Sequence, residues 1–173
     1  MARLHDILDV NFKDDFDTLK NTSYDKENNF YMCQSQMKVV DFDNLTNNMY
    51  PQKQPSSYDA LWTDEDLKNI YCVEFKNQNK SSVKNQNIQK KAKDGKETLK
   101  NICNKYAIAI DDYTIVYCVV HKSNPNKREY RTRYDDSSVH YGLQKYIGVY
   151  FDEVRTNNID YFTNQFSKKY SCV

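Results

Sequence analysis

Glycine is close to absent: Gly95, Gly142 and Gly148 are the only three in a chain of 173 residues. A dinucleotide-binding fingerprint needs three glycines inside about six positions, and a P-loop needs two ahead of a Lys-Ser or Lys-Thr pair. Glycines 47 and 6 positions apart supply neither. The G-x-S-x-G elbow that exposes a catalytic serine is missing as well, so glycine-loop nucleotide enzymes are not expected. Paired metal-binding cysteines are also lacking. Cys33, Cys72, Cys103, Cys118 and Cys172 form no C-x-x-C pair, and histidine occurs only at positions 5, 121 and 140. Cys118-x-x-His121 is the nearest approach to a zinc half-site and has no obvious second half, so the cysteines read as small core hydrophobes. No apolar run approaches the roughly 18 residues of a membrane helix, and no membrane partner is expected. Asp6, Asp9, Asp14 and Asp15 stand where an export signal would need a basic start and an apolar stretch. The expected location is therefore the cytoplasm.

Aromatic and charged residues are plentiful. Fifteen tyrosines and eight phenylalanines supply buried area that offsets ordering entropy, so a mean hydropathy of -0.93 is still compatible with one folded domain over 1–173. The net charge of +1 hides a segregation. Residues 1–30 carry seven acids and four bases, whereas 76–105 carry nine lysines against Asp94 and Glu97. Lys122, Lys127, Arg128, Arg131 and Arg133 follow, against Glu129 alone. This pattern suits a polyanion approached from one side, and equally a solvated helix face.

Leu4, Leu8, Phe12, Phe16 and Leu19 are spaced for one helix over 3–20. Residues 30–42 predict a strand, and Asn44–Ser57, with Pro51 and Pro55, a loop with at most a turn of helix. A hairpin follows: Ser57–Trp62, a polar turn, then Ile70–Lys76. Ile88, Ala92, Gly95, Leu99, Ile102 and Tyr106 mark one packed side of a helix over 80–106, its lysines pointing away. Tyr113–His121 is apolar enough for a central strand buried on both faces. Lys127–Tyr134 reads as an edge strand, and 137–150 and 158–170 as C-terminal helices. The expected fold is α/β, with a mixed central sheet flanked by helices.

Within the hairpin, strand alternation puts Glu74 and Lys76 on one face and Val73 and Phe75 on the other. A carboxylate and an ammonium on an otherwise apolar strand are costly to bury unless paired or coordinating an ion. Asp59, on the preceding strand, lies alongside if the strands pair. Two converging carboxylates make a hard-oxygen site suited to Mg²⁺ or Mn²⁺, and a neighbouring lysine can position water or stabilise charge on a phosphate. Of three (Asp/Glu)-x-Lys triplets, Asp66-x-Lys68 and Asp94-x-Lys96 sit in a polar turn and a lysine-rich helix. Only Glu74-x-Lys76 lies in a strand-like run with an acid at hairpin distance before it.

Asp59, Glu74-Phe75-Lys76 and the long helix after them resemble the PD-(D/E)XK nuclease superfamily, over roughly residues 1–121. The resemblance implies a restriction-endonuclease-like αβββαβ core, with residues 122–173 added as an edge strand and helices. It further implies metal-dependent phosphodiester hydrolysis. Asp59 and Glu74 would hold Mg²⁺ or Mn²⁺ with the Phe75 carbonyl, Lys76 would activate or orient water, and Gln78 would assist. The first motif departs from the family at Tyr58, where a proline is usual. Asp14, Asp15 and Asp17 compete for the first-helix acid of some members; Asp41 and Asp43 fit a helix-cap or turn role better. Many relatives are dimers, which a C-terminal helix could serve.

Lys80 and Lys84 are the best candidates for phosphate contact, with simple solvent exposure the alternative. Tyr130, Arg131 and Arg133 suit stacking and phosphate contact, or a charge-protected edge. His121 fits a core-edge role. The leading expectation is a metal-dependent nuclease with DNA as partner. The alternative is a silent nuclease-like fold in a phage particle or defence complex, with Asp59, Glu74 and Lys76 as a buried ion-pair cluster. Nineteen asparagines, twenty lysines and five alanines are the composition of an AT-rich genome, bacterial or phage, so a virion location is also open.

Overall fold

Leu4 and Leu8, one turn apart and both buried, anchor the first helix, α1 (Leu4–Asn11). The structure, a computed structural model, describes residues 3–123 and 138–170. Helical spacing continues in the sequence to Leu19, but the chain leaves the helix at Phe12 (φ -131°), and Phe16–Thr18 forms strand β1. The reason is tertiary. The buried Asp15 carboxylate accepts from the side-chain amides of Asn44 and Asn48, at 2.8 and 2.6 Å, which ties this point to a distant segment. Phe12 and Phe16 still pack on the same core.

A short helix α2 (Leu19–Thr22) and the two-stranded ribbon β2 (Tyr24–Asp25) and β3 (Phe30–Tyr31) follow. The single strand expected over 30–42 is thus divided. Its middle is bound to α2, with Leu19 N–H donating to Met37 O and Lys20 N–H to Ser35 O, both at 2.9 Å. Only Lys38–Asp41 continues, as β4. Asp41 then caps α3 (Phe42–Met49), its carboxylate accepting from Asn44 N–H at 2.9 Å, so the expected loop begins with a full helix.

The expected hairpin is present. β5 (Ala60–Asp64) and β6 (Asn69–Lys76) pair antiparallel, with Leu61 opposite Cys72 and Trp62 opposite Tyr71. Helix α4 (Asn85–Lys105) carries the chain to β7 (Thr114–His121), parallel to β6. The helix expected over 137–150 is corrected to a 3-10 turn at Gln144–Tyr146. Tyr141, Gly142 and Gly148 adopt positive φ, which interrupts helical geometry. An unexpected strand, β8 (Glu153–Asn158), pairs parallel with β7, and α5 (Ile159–Tyr170) is the predicted last helix. The edge strand expected over Lys127–Tyr134 lies outside the described residues.

The architecture is α/β, a mixed six-stranded sheet in the order β1-β4-β5-β6-β7-β8 flanked by helices. Alternation sorts its side chains into two cores. Ile70, Cys72, Ile115, Tyr117 and Val119 join Ile88, Leu99 and Ile102 of α4 on one side. Tyr71, Val73, Phe75, Val116, Cys118 and Val120 join Phe162 and Phe166 of α5 on the other. The apolar face of α5 is therefore used within its own fold. Among the described residues no helix is long and apolar enough to cross a membrane.

Gly95 marks where α4 crosses the ring of Tyr58. A Cβ there would lie 2.7 Å from Tyr58 Cδ1 and 2.8 Å from Cζ, and the helix runs through this position without a break. Gly95→Ala gains about 1 kcal/mol of helix propensity but drives a methyl into a fully buried ring that stacks on Phe42. The expected net result is a loss of about 1–3 kcal/mol, seen as a lower urea midpoint at unchanged slope. A higher midpoint would show that Tyr58 yields.

Candidate functional site

The hairpin register builds the site. One step beyond the Ala60–Val73 pair, Asp59 stands across from Glu74, and its N–H still donates to Val73 O at 2.9 Å. Asp59 Oδ2 accepts from Phe75 N–H at 2.6 Å. Its Oδ1 accepts from Lys91 Nζ at 3.3 Å, and the same ammonium donates to Glu74 Oε2 at 2.9 Å. Lys76 Nζ approaches Glu74 Oε1 from the other side, at 2.6 Å. That contact is an ion pair off the hydrogen-bonding direction, so Oε1 is buried without a hydrogen bond. Two carboxylates and two ammonium groups form a quartet around Glu74, whose side chain is fully buried.

Burial sets the electrostatics. The Asp59 carboxyl is pushed up to about 7, first by burial and then by the charge of Glu74, with Lys91 opposing. Burial also works against the Lys91 ammonium, but the charges of Asp59, Glu74 and Asp43 outweigh it and hold Lys91 above its ordinary value. Tyr117 is pushed well above the usual phenol range by burial, then by Glu74 and Asp59, so it borders the site as a neutral group. Asp59 also lines an open cleft of about 410 Å³, together with Tyr24, Lys26, Asp41, Asp43 and Asn47.

Asp59, Glu74 and Lys76 are thus brought together, and the Phe75 ring points into the opposite core, as alternation requires. Gln78 is exposed beyond the strand, its carbonyl accepting from Lys122 N–H at 3.1 Å; it makes no hydrogen bond to either carboxylate. Lys80 begins a 3-10 turn, and Lys84 is exposed at the start of α4. Arg131 and Arg133 lie outside the described residues. Of the acids before β1, Asp15 is committed to Asn44 and Asn48, while Asp17 binds Thr18 N–H and the Asn21 amide. Asp41 is the α3 cap, and Asp43 accepts from Ser57 Oγ. His121 is buried at the end of β7, with Nδ1 3.0 Å from Lys122 O.

Lys91 is the residue that sequence reasoning missed, because it points the α4 lysines away from the core. Its signal was its place: three residues after buried Ile88 and four before buried Gly95, Lys91 falls on the packed side of the helix. Among the described residues, no group of three or more His, Cys, Asp or Glu side chains is arranged to hold a metal ion. Compared with family models, curated proteins and solved structures, the chain matches none.

The raised carboxyl makes Asp59 a cost to folding above neutral pH. Between about 4 and about 7 the unfolded chain loses the Asp59 proton while the folded protein keeps it, so stability falls as pH rises through this window. Asp59→Asn is expected to raise Tm by several degrees above pH 7, the gain shrinking toward zero as pH falls below about 4. Calorimetry across this range checks it; a gain that is constant with pH would contradict the raised carboxyl.

Proposed function

We propose that the protein is a divalent-metal-dependent nuclease hydrolysing phosphodiester bonds, with DNA as its favoured substrate, on a restriction-endonuclease-like core. The observation that carries this reading is the convergence of Asp59, just ahead of β5, and Glu74, in β6, on a single cationic group. The sheet topology supports it once β1, α2, β2 and β3, which follow α1, and α3, between β4 and β5, are taken as insertions: antiparallel β4, β5 and β6, then α4 and β7 parallel to β6. Donor chemistry agrees. Glu74 Oε1 is a buried carboxylate oxygen whose partner is the Lys76 ammonium, at 2.6 Å, and two carboxylates completed by water are a common Mg²⁺ set.

Asp59 and Glu74 would hold Mg²⁺ or Mn²⁺, with the Phe75 carbonyl as the third protein oxygen. The ion would supply Lewis acidity toward phosphate and a more acidic water. Lys76, tied to Glu74, orients the attacking water and faces the negative charge that grows on the phosphate. Gln78 assists from the strand end. Lys80, Lys84, Arg131 and Arg133 contact the backbone phosphates, which position the nucleic acid without reading sequence.

One observation favours a second reading, a silent binding or structural component. Lys76 and Lys91 balance the two carboxylates within the protein itself, as a purely structural ion-pair cluster would. Plasmid and branched DNA incubated with Mg²⁺ or Mn²⁺, with and without EDTA, separate the two. Cutting that stops with EDTA and drops at least about 100-fold in Glu74→Ala and Lys76→Ala is expected. Cutting that survives both substitutions would remove the site, and a folded protein that cuts nothing would favour the silent component.

A further inference from the structure

The place between the two carboxylates is taken by a side chain of this protein. Lys91 Nζ lies 2.9 Å from Glu74 Oε2 and 3.3 Å from Asp59 Oδ1, so any cation shared by these oxygens competes with it. Resting on the nuclease reading of the acidic pair, we propose that Lys91 is an internal competitor for the divalent ion, held between Asp59 and Glu74 until the ion displaces it.

Three features make this ammonium the exchangeable partner. First, Glu74 keeps a counter-charge without it, because Lys76 Nζ sits 2.6 Å from Oε1. Second, Asp59 keeps a short hydrogen bond without it, because Phe75 N–H donates to Oδ2 at 2.6 Å. Removing Lys91 therefore frees one oxygen on each carboxylate, both aimed at the same point. Third, the side chain is 24% exposed, on a long flexible stem, whereas the backbone beneath it is fixed by buried Ile88, Ala92 and Gly95. The ammonium can swing toward solvent while the helix stays in place.

Electrostatics makes the exchange all or none. An ammonium and a divalent ion at the same pair of oxygens repel at a distance where water screens poorly. The ion therefore has to overcome the Lys91 ion pairs before it gains its own contacts. Free protein should bind metal weakly for a site with two carboxylates, and the weakness should reside in one side chain. Once displaced, Lys91 is a mobile cation beside the metal, and an incoming phosphate gives it a new partner.

Mn²⁺ binding, measured by titration calorimetry or by the loss of the free Mn²⁺ electron-resonance signal, tests this without reference to cleavage. Lys91→Gln keeps most of the side-chain volume and removes the charge; Lys91→Ala is a second variant, and circular dichroism checks the fold of each. Lys93→Gln, an exposed lysine on the same helix, controls for loss of one positive charge at long range. Both Lys91 variants are expected to bind Mn²⁺ at least about tenfold more tightly than the native protein, with Lys93→Gln nearly unchanged and Glu74→Gln abolishing the gain. Equal or weaker binding in the folded Lys91 variants, or an equal gain in Lys93→Gln, overturns the competitor and leaves the nuclease reading standing. No Mn²⁺ binding by the native protein or either Lys91 variant overturns the metal site itself, and the competitor with it.

Discussion

A fully buried carboxylate, Glu74, sits in β6, one of the two central strands of the hydrophobic sheet, and much of the molecule is arranged around its charge. An ionised group in such a place costs several kcal/mol unless partners compensate it. Lys76 supplies one counter-charge from the same strand, two residues on. Lys91 supplies the other from α4, and it reaches only because that helix lies close against the sheet. Close approach in turn depends on Gly95, which leaves room for the ring of Tyr58. The residue next to Tyr58 is Asp59, so the contact that seats the helix also sets the second carboxylate.

The two cores and the charged site come from one alternation. Along β6, odd-numbered Tyr71, Val73 and Phe75 enter the core under α5, and even-numbered Ile70 and Cys72 enter the core under α4. Glu74 and Lys76 continue the even series, which places them on the α4 side at the carboxyl end of the strand. The carboxyl ends of strands in open α/β sheets are where ligands are usually received. Here β6 ends and α4 begins, separated by Asn77–Lys84, and the quartet lies at that junction. The polar site thus occupies the end of a strand whose other residues stabilise the fold.

Sequence reading was strongest where one element satisfies its own pattern. The β5–β6 hairpin, the long helix, the apolar strand β7 and the last helix follow from local periodicity. It was weakest where hydrogen bonds cross between segments. Phe12 and Phe16 keep helical spacing, yet Asp15 between them is pulled to Asn44 and Asn48, and the helix ends. Residues 30–42 contain enough β-formers for one strand, yet Ser35 and Met37 give their carbonyls to α2. Strand β8 has few β-formers and was not legible; its parallel pairing with β7 makes it a strand.

The sequence alone determined that Asp59 belongs to the first arm of a hairpin and that Glu74 and Lys76 share one face of its second strand. Those facts follow from a two-residue repeat that every extended chain obeys. Tertiary structure decided which cation stands between the carboxylates. A helix repeat identifies the packed side of α4, but which strand residues Lys91 meets depends on the angle and height at which the helix rests on the sheet. That docking is set by Tyr58 against Gly95 and by the burial of Ile88, Leu99 and Ile102. These contacts join residues dozens of positions apart, and no local pattern records them.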